Sequence, residues 1–277
     1  MRNDPIGLID SGVGGLTVLK AIHRRLPAEA TVYFGDQQRL PYGPRTKQEV
    51  RTFVRQIATF LRRTDRIKLL VIACNTATAA ALPALHQELP IPVVGVIAPG
   101  AKAAAKVTQT HRIGVIATAG TVNSRSYDRL VRKQDLQNQV TSLACPEFVT
   151  LAEANDLTSP HAQQVVTAKL QPLRAAHLDT LILGCTHFPL LQPVIHRAMG
   201  PTVHLVDPGV ATAQRVATVL TEHQLTRLKT TPPTARYYTT GDGASFERVA
   251  QQWLSTAVHV QTVPLTDLTQ LDTLEAK

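Results

Sequence analysis

The chain has 277 residues, of which 44% are hydrophobic and 18% charged, a balance typical of globular proteins and unlike that of disordered or fibrous chains. Its formal net charge of +9 is compatible with nucleic acid or an anionic small molecule as a ligand, and does not select between them. Three cysteines, an odd number, predict no disulfide framework, and the apolar runs are far shorter than the roughly 20 residues of a membrane span. The first residues lead directly into a strand-like segment, so we expect no signal peptide and a cytoplasmic location.

Short apolar runs alternate with helical patterns along almost the whole chain. The apolar runs predict strands at 5–10, 30–35, 68–73, 91–96, 112–117, 139–143, 179–184, 202–206, 236–240 and 257–260. Amphipathic patterns predict helices at 46–64, 120–133, 160–176, 190–199, 209–223 and 244–254, the first of which starts with a capping box of Thr46 and Glu49. The segment from Pro146 to Glu153 is interpreted as a loop. Because the strands are continuously apolar rather than alternating, they predict an α/β fold with mostly parallel sheets covered on both faces.

A weak internal repeat indicates two similar halves. Residues 6–11 (IGLIDS) resemble 113–118 (IGVIAT), and 70–76 (LVIACNT) resemble 181–186 (LILGCT), in the same order and at nearly the same offset. Chance similarity between apolar strands is the alternative. If the halves face each other, Cys74 and Cys185 lie on opposite sides of one cleft, because parallel sheets bind ligands at the carboxyl ends of their strands.

Cys74 and Cys185 each close an apolar strand and precede a helix. A helix dipole is expected to lower the pKa of such a thiol below about 8.5, which favours a thiolate that can act as a base or nucleophile. The alternative is a buried structural cysteine, which is how we interpret Cys145. Polar residues follow both strand-end cysteines and favour a chemical role: Asn75 and Thr76 after the first, Thr186 and His187 after the second. No C-x-x-C pair accompanies them, so we expect no metal site.

Two loops near the strand ends could hold an anion. The run from Asp10 and Ser11 to Gly15 departs from the dinucleotide fingerprint G-x-G-x-x-G at its third glycine, where Thr17 stands, and equally suits a backbone cradle for a carboxylate or phosphate. Residues 36–44 form a proline-stiffened loop that could present backbone N–H groups or serve as a connector. The basic clusters lack interleaved aromatic residues and match no nucleic-acid-binding module.

Four blocks taken together resemble the glutamate racemases of the cofactor-independent aspartate/glutamate racemase superfamily. They are IGLIDSGVGGLTVL at 6–19, YFGD at 33–36 followed by PYG at 41–43, IACNTATA at 72–79 and LGCTHFPLL at 183–191. The resemblance implies two similar α/β domains, related by a pseudo-twofold axis and facing each other across a cleft, with residues 1–98 plus 209–277 in one and 99–208 in the other. It also implies a homodimer, no cofactor or metal, and interconversion of L- and D-glutamate for peptidoglycan and hence cell-wall synthesis. An aspartate or other amino-acid racemase of the same superfamily, and a nucleotide- or nucleic-acid-binding protein, are the alternatives.

The resemblance also assigns roles to individual residues. Cys74 and Cys185 correspond to the two acid/base cysteines, the first acting on D-glutamate and the second on L-glutamate. Asp10 and His187 correspond to their assisting partners, and Asp36 and Glu153 to groups that tune charge. The expected substrate-binding positions are Asp10, Ser11, Pro41, Tyr42, Gly43, Asn75, Thr76, Thr118, Thr121, Thr186 and His187.

Overall fold

A computed structural model of the protein describes residues 1–275. Its strands are β1 (Ile6–Asp10), β2 (Thr31–Gly35), β3 (Leu69–Ile72), β4 (Val93–Gly95), β5 (Arg112–Ala117), β6 (Gln139–Ala144), β7 (Thr180–Gly184), β8 (His204–Val206), β9 (Ala235–Thr239) and β10 (Val260–Thr262). Its helices are α1 (Leu16–Arg25), α2 (Lys47–Asp65), α3 (Asn75–Glu88), α4 (Ile97–Val107), α5 (Ala119–Asn123), α6 (Ser126–Gln134), α7 (Pro146–Glu153), α8 (Pro160–Ala175), α9 (Gln192–Met199), α10 (Pro208–Glu222), α11 (Gly243–Leu254) and α12 (Leu265–Glu275).

The strands form two sheets, and the strand pairs within both run parallel. The first sheet has the order β10-β9-β2-β1-β3-β4 and the second the order β6-β5-β7-β8. The predicted α/β class with parallel sheets is therefore confirmed. Residues 6–95 and 235–262 supply the first sheet and 112–206 the second. The finer division into domains of 1–98 plus 209–277 and of 99–208 stays a prediction.

The two copies of the internal repeat occupy corresponding positions in the strand orders of the two sheets. In the first sheet β1 lies between β2 and β3, and β3 lies between β1 and β4. In the second sheet β5 lies between β6 and β7, and β7 lies between β5 and β8. The strands β3 and β7 therefore occupy corresponding places, and Cys74 and Cys185 follow them.

Several elements differ from the sequence prediction. Residues 146–153 form the helix α7 rather than a loop, with Pro146 in its first turn and Phe148, Leu151 and Ala152 buried on one face. The predicted helix at 120–133 is two helices, because Arg125 between them has a left-handed backbone with φ of 51°. The final strand begins at residue 260 rather than 257.

The core joins the two sheets into one body. One cluster of buried apolar side chains includes Ile6 and Leu8 of β1 together with Ile113 and Val115 of β5. The predicted capping box at the start of α2 is present, since Thr46 and Glu49 exchange side-chain-to-backbone hydrogen bonds. Within the described residues, no helix is long and apolar enough to cross a membrane.

Candidate active site

A cavity of about 610 Å³ lies where the carboxyl ends of the two sheets meet. Both halves of the protein line it, and this volume lies within the range of pockets that bind small molecules. The lining residues that the sequence predicted are Ser11, Pro41, Tyr42, Gly43, Cys74, Asn75, Thr76, Thr118, Glu153, Cys185, Thr186 and His187. Most of the predicted positions are thus brought together around one space.

Cys74 lies at the end of β3 and caps α3. Its Sγ accepts a hydrogen bond from the backbone N–H of Ala77 at 3.4 Å, and the residue is only 7% exposed. Burial and the carboxylate of Asp10 raise the thiol pKa to about 12, against the smaller opposing effects of the Ala77 amide and the Ser11 hydroxyl. The expectation of a lowered pKa at this position was therefore wrong: desolvation outweighs the helix dipole. Cys74 is a neutral thiol at pH 7.

Cys185 follows β7, and its side chain is the first of three neighbouring side chains in space, followed by those of His187 and Glu153. Its Sγ lies 3.8 Å from Nδ1 of His187. On the other side of the imidazole, Nε2 lies 3.4 Å from Oε1 of Glu153, which is close enough for an ion pair although the angle is not that of a hydrogen bond. The carboxylate of Glu153, at the end of α7, is about one-third exposed to the cavity side. Glu153, more than 30 residues earlier in the chain, thus completes a thiol–imidazole–carboxylate series with Cys185 and His187.

The surroundings of His187 keep its imidazole protonated. Burial alone would lower its pKa, but contact with Cys185 and Glu153, the charge of Cys185 and that of Asp10 outweigh burial and raise the pKa to about 10. His187 is therefore an imidazolium at pH 7. The imidazolium places a positive charge beside Sγ of Cys185.

Asp10 ends β1 and lies behind the cavity lining, fully buried. Its carboxylate accepts hydrogen bonds from the backbone N–H of Gly12 at 3.1 Å and from Oγ1 of Thr186 at 3.4 Å. Burial raises its pKa, opposed by the charge of His187 and by these hydrogen bonds. The charge of Asp10 raises the pKa of the Cys74 thiol, and the carboxylate is hydrogen-bonded to Thr186 of the other half.

Asp36 is also fully buried and does not line the cavity. Its Oδ2 accepts hydrogen bonds from Nε of Arg39 at 2.6 Å and from the Tyr42 hydroxyl at 2.5 Å, and its Oδ1 accepts one from Thr240 at 2.9 Å. These contacts hold the loop that carries Tyr42 and Gly43 into the cavity. A role of Asp36 in tuning the charge of a cysteine stays a prediction.

Three threonine hydroxyls join the two halves at the cavity wall. Thr76 lies on α3, Thr118 caps the N-terminus of α5, and Thr121 lies within α5. Oγ1 of Thr76 lies 2.9 Å from Oγ1 of Thr118 and 3.3 Å from Oγ1 of Thr121. Thr118 and Thr121 lie 3.1 Å from each other. Thr76 and Thr118 line the cavity, whereas Thr121 supports them from behind. Their hydroxyls can turn to donate to a bound oxygen.

Some lining residues were not found from the sequence. They are Leu40, Pro44, Ala119, Pro146, Val149, Thr150 and Ala154. Four of them belong to α7 or follow it directly, so interpreting that segment as a loop hid them. Proline at the start and buried residues at helical spacing are the signals that would have revealed the helix.

The described residues hold no group of three or more His, Cys, Asp or Glu side chains arranged to bind a metal ion. The polar groups of the cavity are instead a pair of thiols, an imidazolium, a carboxylate and several hydroxyl and amide groups. Such a set suits the movement of a proton on a bound carboxylate-bearing molecule.

Two parallel-sheet halves with a cysteine at corresponding strand ends form one cavity, and comparison of the sequence with known proteins gives the class, which is that of the racemases. The Asp/Glu/hydantoin racemase family matches residues 6–216, and the chain belongs to it. A glutamate racemase from Levilactobacillus brevis is 58% identical over 270 residues, which cover 96% of this chain and 98% of the relative. A second, from Latilactobacillus sakei, is 52% identical over 255 residues, which cover 92% of each chain.

Solved structures agree with this assignment. A glutamate racemase from Bacillus anthracis matches with a TM-score of 0.92 at 43% identity, over 96% of this chain and 99% of that one. This chain is accordingly a racemase, an isomerase with the fold of that structure.

Proposed function

We propose that this protein interconverts L- and D-glutamate by moving protons between the α-carbon and two cysteines, Cys74 and Cys185. The observation that carries the proposal is the placement of these two thiols. They follow corresponding strands of two similar sheets and line one cavity. Two bases, one on each face of a carbon atom, can invert it, and two thiols that line one cavity from different halves support this assignment. The glutamate racemases similar to the chain over nearly its full length support glutamate as the substrate.

The proton balance of the reaction is simple. One cysteine, as thiolate, takes the α-proton and becomes a thiol, and the electron pair left behind spreads into the substrate carboxylate. The other cysteine, as thiol, then gives its proton to the opposite face of the α-carbon and becomes a thiolate. The product is the mirror image of the substrate, the two cysteines have exchanged protonation states, and proton exchange with water restores the first state.

The two cysteines have different electrostatic environments. Cys74, with a pKa of about 12, is a thiol at pH 7, and His187, with a pKa of about 10, is an imidazolium beside Cys185. Cys74 is therefore the proton donor, and the positive charge of His187 stabilises Cys185 when Cys185 acts as the base. In the proposed mechanism Cys185 takes the proton from L-glutamate and Cys74 takes it from D-glutamate.

The difficult step is the removal of an α-proton next to an ionised carboxylate, since negative charge accumulates there. Hydrogen-bond donors aimed at that carboxylate stabilise the charge most strongly where water is excluded. The proposed donors are the polar groups that line the cavity beside the cysteines: Ser11, Asn75, Thr76 and Thr186. With this stabilisation we propose that the reaction needs neither pyridoxal phosphate nor a metal ion.

The wider role belongs to the same proposal. D-glutamate is a component of peptidoglycan, so we propose that the enzyme supplies it in the cytoplasm for synthesis of the cell wall, which maintains cell shape. We also propose a homodimer, which sedimentation of the purified protein measures directly.

Circular dichroism of L-glutamate incubated with the pure protein tests the activity. We expect the signal to decay to zero, as for a racemic mixture, and the same end point to be reached from D-glutamate. Aspartate measured in parallel should turn over much more slowly, and dialysis against a chelator should leave the rate unchanged. An unchanged signal from glutamate, or faster turnover of aspartate, would refute the proposal.

A further inference from the structure

Tyr127 touches the neighbours of both cysteines without lining the cavity itself. It lies on α6 and is 2% exposed. Its hydroxyl donates a hydrogen bond to Oδ1 of Asn75 at 2.8 Å, and Asn75 directly follows Cys74. Its ring packs against Gly184, the residue before Cys185, so closely that a Cβ on that glycine would lie 3.2 Å from Cε2 of the ring. One side chain of the second half therefore contacts both strand ends.

The hydrogen bond from Tyr127 determines which way the amide of Asn75 faces. A carboxamide has an acceptor oxygen on one side and a donor NH₂ group on the other. With Oδ1 held by the phenol, Nδ2 is turned away from Tyr127, and Asn75 lines the cavity. No group in the described part of the chain accepts a hydrogen bond from Nδ2. The free donor is thus available to a ligand.

The phenol is suited to this task at any pH at which the enzyme works. Burial, with the charges of Asp207 and Cys185, raises the pKa of Tyr127 well above its usual value, so the hydroxyl keeps its proton. Without that O–H donor, either face of the amide could turn toward the cavity. The acceptor oxygen would then repel a carboxylate that the NH₂ group attracts.

We infer that Tyr127 is a positioning residue, which fixes the carboxamide of Asn75 with its NH₂ group toward the substrate carboxylate. This inference rests on the proposed function. As the α-proton leaves, negative charge moves onto that carboxylate, and a donor already aimed at it gains strength in the transition state. Tyr127 acts on the reaction only through Asn75.

A double-mutant cycle of Tyr127→Phe and Asn75→Ala tests the inference, with kcat/KM measured in both directions. Tyr127→Phe keeps the ring against Gly184 and removes only the hydroxyl, and we expect it to lower kcat/KM roughly tenfold, the effect of one neutral hydrogen bond. Asn75→Ala should lower it further, and the double variant should match Asn75→Ala within about twofold, because the phenol has nothing left to orient. Tyr237→Phe, in a buried tyrosine of β9, is the matched control and should leave activity unchanged.

Asn75→Asp separates orientation from mere packing. The aspartate keeps an acceptor for the phenol, so the melting temperature should change little, but it presents an oxygen in place of the NH₂ group, and kcat/KM should fall at least about a hundredfold. Full activity of Asn75→Asp, an unchanged rate for Tyr127→Phe, or losses that multiply in the double variant would each overturn the inference. If the unmodified protein racemises glutamate and Tyr127→Phe does so at the same rate, only the positioning role is refuted. If the unmodified protein does not racemise glutamate, the proposed function is refuted, and this inference is refuted with it.

Discussion

Sγ of Cys185 lies 3.8 Å from Nδ1 of His187, and His187 is held as an imidazolium. Cys74 instead has the carboxylate of Asp10 as its charged neighbour, and its thiol is held neutral. The two cysteines occupy corresponding places after β3 and β7 but differ in their electrostatic surroundings. The two strand ends correspond in the order of their strands but differ in the charges next to the two proposed bases, so each proposed base has a different partner to test.

Replacing either strand-end cysteine should stop the reaction. Cys74→Ala and Cys185→Ala each remove the acid/base group of one face, and we expect each to lower kcat at least about a thousandfold in both directions, within the range of general acid–base effects. Both variants should bind substrate and unfold cooperatively.

Cys145→Ala is the matched control, since Cys145 is as buried as the other two but lies outside the cavity lining. It should keep activity within about threefold. Near-normal turnover by Cys74→Ala or Cys185→Ala would show that the replaced thiol is not a base.

The role of His187 can be measured through the pH dependence of stability. Its pKa is raised from 6.5 to about 10 in the folded protein, so its stabilising contribution is fully present below pH 6.5. The contribution is lost as pH rises toward 10, because the unfolded chain releases the proton first. The difference in the free energy of unfolding between the unmodified protein and His187→Gln, from urea titrations, should therefore decrease between pH 6.5 and pH 10. A difference that is constant or grows over this range would contradict an imidazolium at His187.

Gly14 allows a steric test of the contact between the two halves. A Cβ at this position would lie 2.5 Å from Oγ1 of Thr186 and 2.7 Å from Cε1 of His187, so Gly14→Ala must displace one of them. We expect kcat/KM to fall about a hundredfold, since displacements near 1 Å have effects of that size. Gly12→Ala is the control, because its Cβ would meet only Leu40, at an ordinary 3.5 Å, and activity should stay within about threefold. Equal effects of the two substitutions would show that the site tolerates the displacement.

Asp36→Asn distinguishes support of the loop from a direct effect on a cysteine. The change removes the counter-charge of Arg39, which is 8% exposed, so we expect lower stability by about 2 kcal/mol and a loosened Tyr42 loop. KM should rise roughly tenfold for both enantiomers, with kcat little changed. A pH–rate profile that moves for one enantiomer only, at unchanged KM, would favour the charge-tuning role.

The sequence could predict those parts of the site that depend on the residues of a single segment. Cys74 and Cys185 follow short apolar runs, so their placement at strand ends could be derived from local pattern alone. The likeness between residues 70–76 and 181–186 then indicated that they share a cleft. The structure confirms this, because both cysteines line the same cavity, and β3 and β7 have equivalent neighbours in their sheets.

What the sequence could not predict depends on contacts between distant segments. The pKa of Cys74 is set by burial and by Asp10, so a rule based on its helix alone had the wrong sign. The position of Asp36 after a strand predicts a cavity residue, but its carboxylate is hydrogen-bonded to Arg39 and Thr240 instead. The hydrogen bond from Tyr127 to Asn75 joins residues 52 positions apart, so no local sequence pattern could predict it.

The fate of the α-proton in heavy water tests most directly whether two bases act on opposite faces of the α-carbon. In the proposed mechanism, the cysteine that removes the proton from L-glutamate does not deliver it to the other face. The opposite cysteine, already exchanged with solvent, delivers a deuteron instead. Proton NMR of the two enantiomers, separated after a few per cent conversion, should show deuterium at the α-carbon of the D-glutamate formed and hydrogen retained in the remaining L-glutamate. Deuterium appearing at comparable early rates in both enantiomers would contradict Cys74 and Cys185 as a facing pair of bases.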